Sequence, residues 1–395
     1  MAVVCAAGGF FTMEIPFHRP YITDEEIMGV VHSMRSGWLT MGPKTIEFEN
    51  RFAGCVESAQ AVSMNSCTAC LHLALKAIGL REGDEVLVPA MTFTATSEVI
   101  SYFNAKPVFV DVETGTGNMD AGKIESRITG RTRAIIPVHY AGQPCDMQEI
   151  LEIARKRGIY VIEDAAHALP AYYRHKKIGS IGDITCFSFY ATKTLCTGEG
   201  GMASTDNEQW AETMRTLRLH GISKDAWKRY SKKGKWQYEV VDAGFKYNMT
   251  DVQAAMGLAQ LGKLEWMWET RKEIAEKYNA AFGSMEELVI PEVKPDRQSA
   301  WHLYALKLNL EALKIGRDRF VEELSNRGVG SSVHFIPLYR QPFYKNRYGC
   351  RMHEYPASEW VYGRVFSLPI YPGMMEEDVS GVIEVVEHLA RKYKR

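Results

Sequence analysis

Between about residues 60 and 205 short β-branched runs alternate with amphipathic stretches, and this restricts the fold more than any other feature of the chain. The runs fall at 61–64, 86–88, 108–110, 134–138, 159–162 and 184–189. Between them lie segments such as Asp146-Met-Gln-Glu-Ile-Leu-Glu-Ile-Ala-Arg-Lys-Arg-Gly158, with Asp146 placed to cap a helix and Gly158 to end it. Parallel strands need crossover helices, so the alternation predicts an α/β fold with a mostly parallel central sheet. A helical pattern then runs from 251 to about 281, and strand runs at 301–308 and 333–336 mark a smaller second unit. The expected organisation is a loose extension at 1–14, a large domain at 15–260 and a small C-terminal α/β domain at 261–395, with a boundary helix within 260–290.

In such sheets ligands gather at the carboxyl ends of the strands. Three polar groups fall there: residues 65–68, Asp164 and Lys193. In the first, Asn65-Ser-Cys-Thr68 turns from a strand into a helix beginning at Thr68, whose free N–H groups and dipole, with the Ser66 and Thr68 hydroxyls, suit an anion such as phosphate. The competing structural reading is a capped helix without a ligand. Val161-Ile-Glu-Asp164-Ala-Ala-His167 sets a carboxylate just past a buried strand, where it either caps a helix or faces a cation that keeps it ionised. Lys193 lies between the apolar run with Phe187, Phe189 and Ala191 and a turn with Gly198, Gly200 and Gly201. A lysine beside a glycine turn is commonly a solvated surface residue, but a desolvated one loses its charge readily, as Schiff-base chemistry requires. A lysine to bond the cofactor and a carboxylate for its ring nitrogen are what a pyridoxal phosphate enzyme needs.

Composition narrows the partners. With 47 basic and 48 acidic residues the formal net charge is −1, which favours neither nucleic acid nor an anionic membrane and leaves a small molecule as partner. No stretch has the length and apolarity of a membrane span. Eight scattered cysteines, several within apolar runs, read as free thiols of a reducing cytoplasm. Cys67-Thr-Ala-Cys70 has redox spacing but no second ligand pair at zinc distance, so no metal is assigned. Pro43-Lys44-Thr45 after Gly37 and Gly42 misses a phosphate loop by one position, and Gly115-Thr-Gly117 lacks the third glycine of a dinucleotide turn.

With these residues in hand, the chain from Ile15 to its end resembles the sugar-nucleotide aminotransferases of the DegT/DnrJ/StrS family, which are fold-type I pyridoxal phosphate enzymes. The landmarks are Ile15-Pro-Phe-His-Arg-Pro20, Ser36-Gly-Trp-Leu-Thr-Met-Gly-Pro43, Ile136-Pro-Val-His-Tyr-Ala-Gly142, Val161-Ile-Glu-Asp-Ala-Ala-His167, the Lys193 run and Gly244-Phe-Lys-Tyr-Asn-Met-Thr-Asp-Val-Gln-Ala-Ala255. Within the family it looks most like the UDP-4-amino-4-deoxy-L-arabinose:oxoglutarate aminotransferases. The resemblance implies that Lys193 bonds the cofactor, Asp164 pairs the ring nitrogen, Phe93 stacks on the ring and His167 lies beside it. Thr68, the backbone of Ala69 and Ser188 would hold the phosphate. Asn248 would reach that phosphate from a neighbouring subunit, making a homodimer with shared sites. His334, Trp301 and Tyr339 would contact the sugar nucleotide. Cys67 stands where many relatives have glycine, and Phe93 where the arabinose-pathway relatives have tryptophan.

The activity so implied is ping-pong transfer of an amino group from L-glutamate, through pyridoxamine phosphate, to C4 of a UDP-linked keto sugar. The rivals are C3 amination of a dTDP-linked sugar, a sugar dehydratase, whose relatives carry histidine in place of Lys193, and a cofactor-free sensor.

Overall fold

The computed structural model describes residues 14–222 and 238–395. Apart from Glu14, the expected N-terminal extension lies outside the described residues. In chain order the strands are β1 (Gln60–Met64), β2 (Glu85–Pro89), β3 (Lys106–Val110), β4 (Thr132–Ile135), β5 (Tyr160–Asp164), the short β6 (Tyr172–Tyr173) and β7 (Lys176–Lys177), then β8 (Ile184–Ser188) and β9 (Gly201–Thr205). Later come β10 (Leu288–Val289), β11 (Arg297–Gln298), β12 (Tyr304–Leu308) and β13 (Val365–Leu368). A seven-stranded sheet runs β1-β9-β8-β5-β4-β2-β3. Only β9 is antiparallel to its neighbours, so the predicted mostly parallel α/β sheet is found. Its strands are largely buried because helices cover both faces.

One face shows how the alternating register sets the site. Phe187 and Phe189 point into the core, where Phe187 meets Phe52 at 5.1 Å and Phe189 meets Phe48 at 5.4 Å. Ser188, between them, faces the opposite side. The two rings therefore anchor the strand before Lys193 and do not themselves form the apolar approach to its amine.

Several local expectations are corrected by partners distant in the chain. Asp146 sits at the N-cap of Met147–Arg157 without capping it, because Lys294 and Arg297 each donate to its carboxylate at 2.8 Å. The helical pattern after 251 is two helices, Asp251–Gly262 and Leu264–Phe282, broken at Lys263, whose ammonium pairs with Glu26 and Glu25. The run 333–336 is not a strand. Ser332 and Ser367 exchange backbone hydrogen bonds, but the carbonyl two residues on, that of His334, is taken by the Tyr140 hydroxyl at 2.5 Å. The chain so held leaves the sheet and crosses toward Leu338, whose N–H donates to Ala90.

The N-terminus of Pro43–Val56, part of the rejected phosphate-loop match, already has its anion. Asp251 accepts from the N–H groups of Gly42 at 2.7 Å, Lys44 at 3.0 Å and Thr45 at 2.9 Å, and from the Thr45 hydroxyl at 2.6 Å. The antiparallel sheet β10-β12-β13 forms a second core with the helices Leu264–Phe282, Arg317–Ser325 and Glu376–Lys392. Ile15 joins this core by bridging Val329, so the start of the described chain packs with its end.

Candidate active site

A cavity of about 450 Å³ opens where the carboxyl ends of β5 and β8 meet the start of the helix Cys67–Ala77 and the segments around 302 and 334. Thr68, Phe93, Asp164, His167, Ser188, Lys193 and His334 all line it. Residues separated by more than 200 positions thus converge where the sheet topology directs a ligand.

Asp164 is the last residue of β5 and is only 5% exposed. Its neighbour Glu163 points to the other face, where Gly182 N–H and the Thr185 hydroxyl each donate to it at 2.7 Å and His139 Nε2 lies 2.8 Å away. Of the two carboxylates, only Asp164 serves the cavity. Thr96 Oγ1 donates to Asp164 Oδ2 at 2.7 Å and Ala166 N–H to Oδ1 at 3.1 Å. Burial raises the Asp164 pKa, opposed by these bonds and by the charge of Lys193. A cationic ring nitrogen in the cavity would complete what this carboxylate lacks.

Lys193 follows β8 in a turn closed by its own N–H donating to the Tyr190 carbonyl at 2.8 Å. Burial lowers its pKa to about 8, with Asp164 and Cys67 pulling it up and Arg271 pulling it down. Its Nζ lies 3.3 Å from His302 Nε2. A lowered pKa does not by itself identify the reactive amine, since burial also brings Lys307 to about 8. Lys307 Nζ, however, donates to the carbonyls of Thr114 at 2.9 Å and Gly115 at 2.6 Å, beside a void of about 30 Å³. Lys193 is the lowered amine that opens on a space large enough for a ligand.

The helix beside the cavity starts at Cys67, one residue before the predicted start. Ser66 is its N-cap and accepts the Ala69 N–H at 3.1 Å, so an anion would share that amide with the cap. Close approach is required here: a Cβ on Gly201 would come within 2.6 Å of Cys67 N. Cys67 and Cys70 are buried with thiols pushed well above their ordinary value, the state of packing residues. The cavity therefore offers a carboxylate, an amine, hydroxyls at a helix N-terminus and an aromatic rim, which fit pyridoxal phosphate.

Phe93, 57% exposed, stands at the rim 5.9 Å from Phe335. His167 is buried, its ring stacked on Phe335 at 5.9 Å and its Nδ1 without a partner. His334 Nδ1 is 2.9 Å from the Ser367 hydroxyl, and burial lowers its pKa to about 4. Two of the residues expected to contact substrate lie elsewhere. Trp301 stacks on Tyr304 at 6.2 Å in the second core, and Tyr339 stacks on Tyr355 at 4.5 Å inside the first. Neither lines the cavity, because both rings are large enough to be drawn into apolar cores that long-range contacts create. Asn248 bonds its own neighbour, donating to the Met249 carbonyl at 3.2 Å, and does not line this chain's cavity.

The reading of the sequence missed Thr96, His302 and His18. His18 donates from Nε2 to the Ala191 carbonyl at 3.1 Å, and burial lowers its pKa to about 4. It belongs to the motif Ile15-Pro-Phe-His-Arg-Pro20, and His302 adjoins Trp301, so each was within sight. Among the described residues no cluster could hold a metal ion, and no helix is long and apolar enough to cross a membrane.

The model of the DegT/DnrJ/EryC1/StrS aminotransferase family matches residues 20–387. The chain is 54% identical over 375 residues to the uncharacterized protein MJ1066 of Methanocaldococcus jannaschii, covering 95% of this chain and 97% of that one. It is 46% identical over 378 residues to the spore coat polysaccharide biosynthesis protein SpsC of Bacillus subtilis, at the same coverage of 95% and 97%. The sugar aminotransferase Spr1654 of Streptococcus pneumoniae, described as putative and solved in its PMP form, superposes with a TM-score of 0.90 at 35% identity, over 96% of this chain and 98% of that one. The fold is that of the fold-type I pyridoxal phosphate aminotransferases, and the chain belongs to the DegT/DnrJ/EryC1/StrS aminotransferase family.

Proposed function

We propose that this aminotransferase moves the amino group of L-glutamate to C4 of a UDP-linked keto sugar, in the cytoplasm, as a step toward a cell-envelope polysaccharide. The reading rests above all on the Lys193 amine sharing one cavity with the Asp164 carboxylate. Bound pyridoxal phosphate supplies a reactive carbonyl carbon and a ring that accepts electrons. Asp164 would pair the ring nitrogen and keep it protonated. Thr68, the backbone N–H of Ala69 and Ser188 would hold the phosphate, with the Ser66 hydroxyl beside them, joined by Asn248 of the partner subunit in a homodimer. Phe93 and His167 would flank the ring. The Lys193 amine would take the proton from the donor's α-carbon and later return one on the product side. His334 faces the sugar nucleotide across the cavity.

The test loads the protein with pyridoxamine phosphate and offers UDP- and dTDP-linked 4-keto and 3-keto sugars separately. The UDP-linked 4-keto sugar should discharge the amino group fastest, read from the cofactor's absorbance. Discharge by 3-keto sugars alone would overturn the C4 assignment.

A further inference from the structure

His302 has no part in the scheme above, yet it is held against its central amine. It is 6% exposed, lines the cavity, and brings Nε2 to 3.3 Å from Lys193 Nζ. Its placement is built from three sides. The buried guanidinium of Arg271 donates through Nη1 to the carbonyls of Trp301 at 3.4 Å, His302 at 3.3 Å and Ile370 at 2.6 Å. Ala300 and Leu303 N–H donate to the carbonyls of Gly142 and Ala141 at 2.9 and 3.2 Å. Trp301 itself adopts a φ of 49°, in the region that favours glycine, and this turn directs Trp301 into the core and leaves His302 at the cavity. The ring's other nitrogen, Nδ1, is buried without a partner, which a purely structural histidine would avoid.

We propose that His302 is a positioning residue for Lys193: Nε2 accepts a hydrogen bond from the lysine ammonium and holds it in place each time Lys193 carries a proton. An ammonium has donors only, so Nε2 must be the acceptor and the imidazole proton resides on Nδ1. The proton taken from the donor carbon stays on Nζ, and His302 keeps its own. Burial favours this division by holding His302, His167, His18 and His334 neutral. Asp164 and Cys67 favour charge on Lys193, and Arg271 opposes it.

The inference rests on Lys193 as the working amine, but its test needs no cofactor, so its failure would leave that assignment standing. In cofactor-free protein, the rate of acetylation of Lys193 by acetic anhydride is followed against pH by peptide mass spectrometry. The wild-type midpoint is expected near the lowered lysine pKa, about 8. His302→Leu should lower it by about one unit, giving about fivefold more free amine at pH 7. His302→Gln, whose amide oxygen reaches the place of Nε2, should restore the midpoint, while His302→Asn, one methylene shorter, should not. In turnover, His302→Leu should lose roughly 100-fold in kcat with little change in KM for the donor. An unmoved midpoint in His302→Leu, or equal behaviour of the Gln and Asn variants, would overturn the proposal. If the Leu variant does not fold, the comparison of Gln with Asn decides it.

Discussion

Thr96 donates its hydroxyl proton to Asp164 Oδ2 at 2.7 Å, and the Thr92 hydroxyl stands 3.0 Å from Thr96 Oγ1. The bond offsets the effect of burial on Asp164 and helps keep it ionised. Thr96→Val, of equal volume, should raise the Asp164 pKa further and move the acidic limb of the turnover profile to higher pH. It should also cost about 1–3 kcal/mol in urea unfolding, since a buried carboxylate oxygen loses its donor. Thr96→Ser should recover both. A profile unchanged in the valine variant would remove Thr96 from the account.

Burial of Lys193 predicts a pH dependence in cofactor-free protein. The folded pKa is about 8 against an ordinary 10.5, so between these values the unfolded chain binds more protons and stability rises with pH. Below pH 8 the penalty is complete, on the order of 3 kcal/mol. Lys193→Met should therefore be more stable than wild type at pH 7, with the gap closing as pH rises toward 10. Parallel denaturation curves with a constant gap across this range would contradict the burial of the charge.

Asp251 joins two helices by accepting from Gly42, Lys44 and Thr45. Asp251→Ala leaves several buried donors unmet and should cost about 2–3 kcal/mol by denaturant unfolding. Cofactor affinity per folded molecule should be unchanged, as Asp251 does not line the cavity. A large loss of affinity without a loss of stability would give it a different role.

His334, with a pKa lowered to about 4, is neutral across pH 6–8, so its contacts should not vary with pH there. Its ring lies 5.6 Å from Phe17 on the wall assigned to the sugar nucleotide. His334→Ala should raise KM for the keto sugar roughly tenfold while sparing the donor half-reaction. Single-turnover measurements of the two halves separate these effects, and equal losses in both would place His334 at the cofactor instead.

Strand alternation, read locally, pointed to Asp164 and Lys193 because Asp164 ends β5 and Lys193 follows β8 in the next turn, beside strand ends whose direction the sheet topology dictates. It could not show that Glu163 would be consumed by His139, Gly182 and Thr185, although Glu163 and Asp164 are adjacent and chemically alike. Trp301 and Tyr339 lie away from the cavity for a similar reason. An aromatic residue near a site motif serves a ligand or a core according to contacts made far along the chain, here with Tyr304 and Tyr355. His302 escaped notice because its importance comes from a turn at Trp301 and the Arg271 clamp, neither of which has a local periodic signature.

The central claim is that Lys193, and not the equally lowered Lys307, bonds the cofactor. Borohydride reduction of the protein mixed with pyridoxal phosphate fixes the cofactor to whichever lysine holds it, and peptide mass spectrometry locates the adduct. The account predicts a pyridoxyl adduct on the peptide containing Lys193 and its loss, with turnover, in Lys193→Ala. An adduct on Lys307, or full turnover in Lys193→Ala, would contradict it.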